Sequence, residues 1–66
     1  MKNKIKVARA IKGITQEELA QAVAVSRQTI IAMEANKYVP STVLALKVAR
    51  FFDKKVEELF MLEDTD

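Results

Sequence analysis

Residues 15–34 constrain the fold of this chain more than any other segment, because they predict two short helices with almost no chain between them. Thr15 and Ser26 are hydroxyl residues of the kind that cap helix N-termini, and Glu18 completes a capping box with Thr15. The break between the two helices is only three residues long. Helices joined so tightly cross steeply and share one small core. A second helix held in this way, with a polar outer face, has the shape that fits a DNA major groove.

A chain of 66 residues is expected to form one domain, residues 1–66. Domains of this size usually need a disulfide, a metal, a partner chain or very regular helix packing for stability. The sequence contains no Cys and no His, so we expect regular helices and a homodimer, with no metal and no cofactor. The same absence, with a single Gly, argues against an enzyme and against a Gly-rich phosphate loop. No small-molecule ligand is evident.

Basic and acidic residues are unevenly distributed along the chain. Residues 1–55 hold 11 Lys and Arg against 4 acidic residues, a balance of +7, whereas residues 56–66 hold 5 acidic residues and no basic one, a balance of −5. A basic body with an acidic tail indicates a polyanionic partner that approaches from one side. No run approaches the 18 apolar residues of a membrane span, which predicts a soluble cytoplasmic protein with no membrane partner.

Apolar periodicity predicts an all-α fold of five helices. The first runs from about Asn3 to Lys12, buries Ile5, Ala8 and Ile11, and ends at Gly13 with a left-handed C-cap. The later helices are expected to open at Thr15, to run from after Ser26 to about Ala35, to span about 42–52, and to lie near 56–60.

The third predicted helix has two different sides when it is plotted at about 100° per residue. Ile30 and Met33 fall on the side that faces the core, together with Thr29 and Glu34. Arginine suits a guanine edge or a phosphate, glutamine suits adenine, and isoleucine or alanine suits a thymine methyl group. The opposite side carries residues of these types, and the ones expected to contact bases are Arg27, Gln28, Ile31 and Ala32.

In these features the chain resembles the lambda-repressor/Cro-like (XRE-type) helix-turn-helix family over roughly residues 3–60. The segments that carry the resemblance are IKVARAIKGITQEELAQAVAVSRQTI, ME, KYVPS, LALKVARFF and VEELF. The match is specific because order and spacing persist across all five helices. The resemblance implies a compact five-helix, sequence-specific DNA-binding transcriptional regulator, with its helix-turn-helix unit at about 16–35. Small stand-alone members are homodimeric repressors on near-palindromic operators, so double-stranded DNA and a second copy are the implied partners.

The resemblance also implies roles for individual residues. The third helix becomes the recognition helix, and Gln28 becomes its main base-contacting residue. Arg9 and Glu34 match an ion pair that ties the first helix to the third. Gln16 matches a residue that touches a phosphate while it braces the recognition helix. The full set expected to contact phosphates is Gln16, Thr29, Lys37, Tyr38 and Ser41.

Three positions depart from the family pattern. Ala24 occupies the turn position that is usually Gly, and a left-handed Ala costs about 1 kcal/mol relative to Gly. Asn36 replaces the Gly after the third helix, which is a milder change. Ile31 stands where Asn or Ser is common, so it can offer only an apolar contact. The operator sequence therefore cannot be inferred from those of other family members.

A dimer surface is expected in the C-terminal segment, at about 53–63. The apolar residues assigned to it are Val56, Leu59, Phe60, Met61 and Leu62. Residues 1–3 and 61–63 are expected to pair there as very short strands, which adds a two-stranded β ribbon to the fold.

A second interpretation is a protein-interaction module, such as an antitoxin or a partner-binding helical bundle. An exposed Ile31 favours this interpretation. Under this interpretation, Arg27 and Gln28 are ordinary solvated residues, and Tyr38 packs on the core. Salt dependence separates the two functions, because phosphate binding weakens steeply as salt rises and an apolar protein interface does not.

Overall fold

Local sequence signals account for most helix boundaries in the computed structural model, which describes all 66 residues. The elements in chain order are β1 (Lys2–Asn3), α1 (Ile5–Lys12), α2 (Gln16–Ala22), α3 (Arg27–Glu34), α4 (Thr42–Phe51), α5 (Val56–Leu59) and β2 (Phe60–Met61). The predicted fold of five helices and a short ribbon is therefore confirmed. None of the helices combines the length and apolar character that a membrane crossing requires.

Hydroxyl side chains begin α2, α3 and α4. Thr15 accepts a hydrogen bond from the Glu18 amide at 3.1 Å, and the Glu18 carboxylate accepts one from the Thr15 amide at 2.9 Å. Ser26 and Ser41 each accept a hydrogen bond at 3.2 Å from the amide three residues ahead. These bonds satisfy amides that have no partner inside the helix, and they set the first residue of each helix.

The terminal ribbon shifts the predicted boundaries of three elements. β1 pairs antiparallel with β2, with Asn3 opposite Phe60. The prediction that the first helix begins at Asn3 is wrong, because Asn3 belongs to the ribbon and its side-chain oxygen accepts from the Ile5 amide at 3.2 Å. The C-terminal strand is Phe60–Met61 rather than 61–63, and α5 accordingly ends at Leu59.

A single cluster of 12 buried apolar residues forms the core, and no polar residue is fully buried. Ile5 and Ala8 belong to this cluster as predicted, but Ile11 does not, because 81% of it is exposed. Ile11 lines an open groove between α1 and residues 54–61. Ile11 also lies about 120° around the helix from Ile5, so it faces away from the buried side of α1. The largest fully buried side chains are Ile5, Leu19, Ile30, Met33, Val48 and Leu59.

The turn between α2 and α3 carries a left-handed non-glycine residue. Ala24 has φ of 59°, and its neighbour Val25 donates its amide to the Ala20 carbonyl at 3.0 Å. Asn36 and Asp53 are also left-handed, with φ of 60° and 54°. Asn and Asp tolerate this region because their side chains bond locally, whereas Ala has no such compensation. The strain anticipated from the sequence is therefore located at Ala24.

Replacing Ala24 with glycine is expected to stabilise the domain by about 1 kcal/mol, since glycine adopts positive φ without a steric penalty. Urea denaturation of the wild type and A24G measures the change. The matched control is Ala10→Gly in α1, where the backbone is helical and the same substitution should cost about 1 kcal/mol. An A24G variant that is no more stable than the wild type would contradict the strain argument.

Candidate functional site

The outer face of α3 carries exposed residues of three different chemical types. Ile30 and Met33 are fully buried beneath it, while Arg27, Gln28 and Ile31 are exposed. This division follows the two sides expected from helical periodicity, except that Ala32, assigned to the outer side, is half-buried. A cation, an amide and an apolar group therefore face solvent together near the start of α3.

An ion pair and a side-chain amide hold α3 against α1 and α2. Arg9 donates through Nε and Nη2 to the two carboxylate oxygens of Glu34, at 2.8 and 3.2 Å. Gln16 donates through Nε2 to Glu34 at 3.2 Å, and Arg9 also donates to the Ile14 carbonyl at 3.0 Å. The Glu34 side chain is only 6% exposed, and the hydrogen bond to it raises the pKa of Arg9. The three helices are therefore joined at Glu34, and the bidentate contact with Arg9 fixes the orientation of the carboxylate.

A shallow polar cleft of about 660 Å³ opens at the start of α2. Its lining includes Thr15, Gln16 and Arg27, so the cleft joins the first turn of α2 to the first residue of α3. The Arg27 side chain is exposed beside it. The guanidinium of Arg27 and the amide of Gln16 are groups that bind phosphate oxygens.

The loop after α3 folds back and brings a second set of polar groups near the N-terminal end of that helix. Tyr38 and Ser41 line a groove of about 200 Å³ together with residues 23–25 of the turn before α3. Tyr38 is 41% exposed rather than packed on the core, and Lys37 is exposed beside it. Lys47 of α4 lines the same groove. Sequence reasoning missed Lys47, although it lies four residues after Val43 and therefore on the same face of α4 as that groove residue.

Thr29 is less accessible than the other residues assigned to phosphate. It is half-buried, and its hydroxyl lies 3.0 Å from the Ser26 hydroxyl. One of the two hydroxyls donates to the other, which leaves one proton for an outside acceptor. The contact between Thr29 and a phosphate stays a prediction.

The C-terminal end of α3 is held by a side chain that sequence reasoning did not single out. The Asn3 amide donates to the Met33 carbonyl at 2.6 Å and to the Asn36 side-chain oxygen at 3.1 Å. A β-ribbon residue thus caps the helix on which the exposed residues lie. The only sequence signal for this contact was the position of Asn3 just before the first apolar stripe, which is equally typical of an ordinary helix N-cap.

The residues assigned to a dimer surface do not all lie on one surface. Leu59 is 1% exposed and Phe60 is 7% exposed, so their side chains pack inside the domain, and the surface assigned to Leu59 is wrong. Val56 and Phe60 border a groove of about 360 Å³ that Val39 and Leu46 also line. Met61 borders the different groove next to α1, and Leu62 is exposed at the end of the ribbon. Val39 and Leu46 were missed because a loop residue and a helix residue meet there only in the folded chain.

Comparisons with known proteins agree with this architecture. A family model described as helix-turn-helix matches residues 5–59. The chain is 54% identical over 66 residues to an uncharacterized HTH-type transcriptional regulator of Methanocaldococcus jannaschii, covering 100% of both chains. It is 50% identical over 64 residues to a protein of the same description from Bacillus subtilis, covering 97% of each, and 47% identical over 66 residues to one from Archaeoglobus fulgidus, covering 100% of this chain and 94% of the relative.

Proposed function

The chain belongs to the XRE-type helix-turn-helix family of DNA-binding transcriptional regulators, and on that premise we propose that it represses transcription as a homodimer on a near-palindromic operator. The observation that carries the proposal is the surface at the start of α3, where Arg27, Gln28 and Ile31 are exposed. The polar cleft at α2 and the groove at Tyr38 both adjoin that end of the helix. In helix-turn-helix proteins, the N-terminal residues of the second helix contact base edges.

Contacts to bases and to phosphates divide between two groups of residues in this proposal. Arg27, Gln28, Ile31 and the half-buried Ala32 contact base edges from the major groove. Gln28 pairs with an adenine through its amide. The phosphate contacts, which set the register on the duplex, come from Gln16, Thr29, Lys37, Tyr38, Ser41 and the additional Lys47.

Two copies are required because one short helix contacts too few base pairs for a specific site. A homodimer places one α3 in each of two successive major grooves about 34 Å apart. The groove lined by Val39, Leu46 and Val56 is the surface proposed for the second copy. None of its lining residues lies on α3, so such a dimer leaves the helix free for DNA. Repression then follows from occupation of the promoter.

The proposal is tested by two alanine variants with opposite expected behaviour on an operator selected from a random duplex library. Gln28→Ala should cost about 1–3 kcal/mol of binding free energy and relax the preference at one base pair. Lys37→Ala should weaken binding to all duplexes alike and reduce the salt slope by about one unit. Fluorescence anisotropy over a salt series measures both quantities.

Lys6→Ala is the matched control, because Lys6 is an exposed cation of α1 away from the cleft and the groove. We expect its operator affinity and salt slope to equal those of the wild type. If Gln28→Ala and Lys37→Ala both act uniformly across sequences, the base-contacting role of Gln28 is wrong. If the wild type shows no salt-dependent DNA binding, the proposed function is wrong.

The second candidate function is a protein-interaction module. It is favoured by the exposure of Ile31, which puts an apolar group where a polar base contact is usual. Binding to a protein partner that persists from low to high salt, together with no preference among DNA duplexes, would support this candidate over the first.

A further inference from the structure

Ile31 is the only large apolar side chain exposed on α3, with 42% of its surface accessible. We propose that Ile31 recognises the 5-methyl group of a thymine, so that each half-site of the operator contains a T·A pair next to the pair contacted by Gln28. This inference rests on the proposed function and adds the chemistry of one base to it.

The chemistry of the major groove selects thymine. The base edges there present hydrogen-bond donors and acceptors, and the C5-methyl group of thymine is the one apolar group among them. An isoleucine placed against a donor or acceptor would remove that atom from water without offering it a hydrogen bond, which is unfavourable. Against the methyl group, the same side chain buries apolar surface on both partners.

The spacing along α3 places this contact beside the Gln28 contact. Ile31 follows Gln28 by three residues, which corresponds to about 4.5 Å along the helix axis and about 60° around it. Successive bases on one DNA strand are separated by about 3.4 Å. Side chains with that separation can reach neighbouring base pairs.

The neighbours of Ile31 leave its apolar surface open to the groove. Ala35, one turn later, is exposed but has only a methyl side chain. Glu34 is turned inward, since both its carboxylate oxygens accept hydrogen bonds from Arg9. No carboxylate of α3 therefore competes for the space beside Ile31. Its exposed neighbours are the small Ala35 on one side and, on the other, Arg27 and Gln28, which are themselves assigned to base edges.

The test removes single methyl groups from the DNA. A duplex operator is first selected from a random library, and each thymine is then replaced in turn by deoxyuridine, which lacks only the 5-methyl group. One thymine per half-site should prove sensitive, with a loss of about fourfold in affinity for one half-site and about fifteenfold for both. Ile31→Ala removes the three outer side-chain carbons that reach the methyl group from this position. With this variant, the thymine and uracil operators should therefore bind equally, because the coupling between the two groups is gone.

A gain-of-methyl experiment complements the first. At the sensitive position, the T·A pair is replaced by C·G with either cytosine or 5-methylcytosine. The wild type should prefer the methylated duplex, and Ile31→Ala should not distinguish the two. Ile11→Ala is the matched control, since Ile11 is an exposed isoleucine of α1, and this variant should retain the wild-type discrimination. Thermal melts of the two variants should coincide, which shows that both are folded.

Each other outcome overturns the inference in a recognisable way. If every thymine tolerates uracil while the selected operator is still preferred over a scrambled duplex, Ile31 does not contact a methyl group, and the proposed function stands. The same conclusion follows if Ile31→Ala remains sensitive to uracil, or if that substitution changes only self-association. If no duplex is preferred over any other, the proposed function itself fails, and the inference fails with it.

Discussion

Replacing Leu46 with glutamate is expected to dissociate the proposed homodimer and to lower affinity for the full operator by about 100-fold or more. Leu46 is 56% exposed and lines the apolar groove with Val39 and Val56, so a carboxylate there has to lose its water when a second copy binds. A linked pair of binding modules gains about 10²–10⁴ in affinity over one module, and a monomer loses that gain. Because Leu46 is already half-exposed in the single chain, the fold itself should survive the substitution.

Sedimentation equilibrium and operator titration on the same samples measure this effect. Leu46→Glu should sediment as a monomer at concentrations where the wild type is a dimer, while its affinity for an isolated half-site should stay unchanged. Ile11→Glu is the matched control, because it adds the same charge at an exposed apolar position outside this groove. If Leu46→Glu remains dimeric, the groove is not the interface.

Replacing Arg9 with methionine is expected to lower the free energy of unfolding by about 2–3 kcal/mol. The substitution leaves the Glu34 carboxylate, which is only 6% exposed, without its two strongest hydrogen bonds. Removing one partner of a fully buried ion pair costs about 3–5 kcal/mol, and the 17% exposure of the Arg9 side chain reduces that cost. A core of this size rarely supplies more than about 3–5 kcal/mol of unfolding free energy in total. The Arg9→Met monomer should therefore be only marginally folded in the absence of urea.

Urea denaturation of three variants distinguishes the charge effect from lost packing. The double variant Arg9→Met, Glu34→Leu removes both charges and should recover most of the stability, since apolar pairs of similar volume often replace buried ion pairs without loss. Lys6→Met removes an exposed cation from the same helix and should change stability by less than about 0.5 kcal/mol. If Arg9→Met is no less stable than Lys6→Met, the pair does not stabilise the fold.

The helix boundaries were predictable where one side chain and a nearby amide decide them. The caps at Thr15, Ser26 and Ser41 each involve partners three residues apart, so the signal lies within a few letters of sequence. The left-handed position at Ala24 was indicated by the family resemblance, because that turn position is usually Gly. The left-handed conformation of Asp53 was not predicted.

Residues that pack across the fold were harder to assign. Leu59 was placed on the dimer surface because an apolar residue on a one-turn helix looks the same whether it faces the domain core or a partner. Ile11 was placed in the core because it continues the three-residue spacing of Ile5 and Ala8, but no other element covers it. In both cases, burial depended on the length and direction of another element.

The sequence by itself determined the caps, the two closely joined helices at residues 15–34, and the division of α3 into a buried side under an exposed Arg27 and Gln28. These depend on interactions over three or four residues, which helical geometry converts directly into position. Only the tertiary structure decided that Asn3 caps the end of α3, that Lys47 joins the groove at Tyr38, and that Val39 meets Leu46. Those contacts join residues far apart in sequence, and their geometry exists only after the helices have packed around a common core.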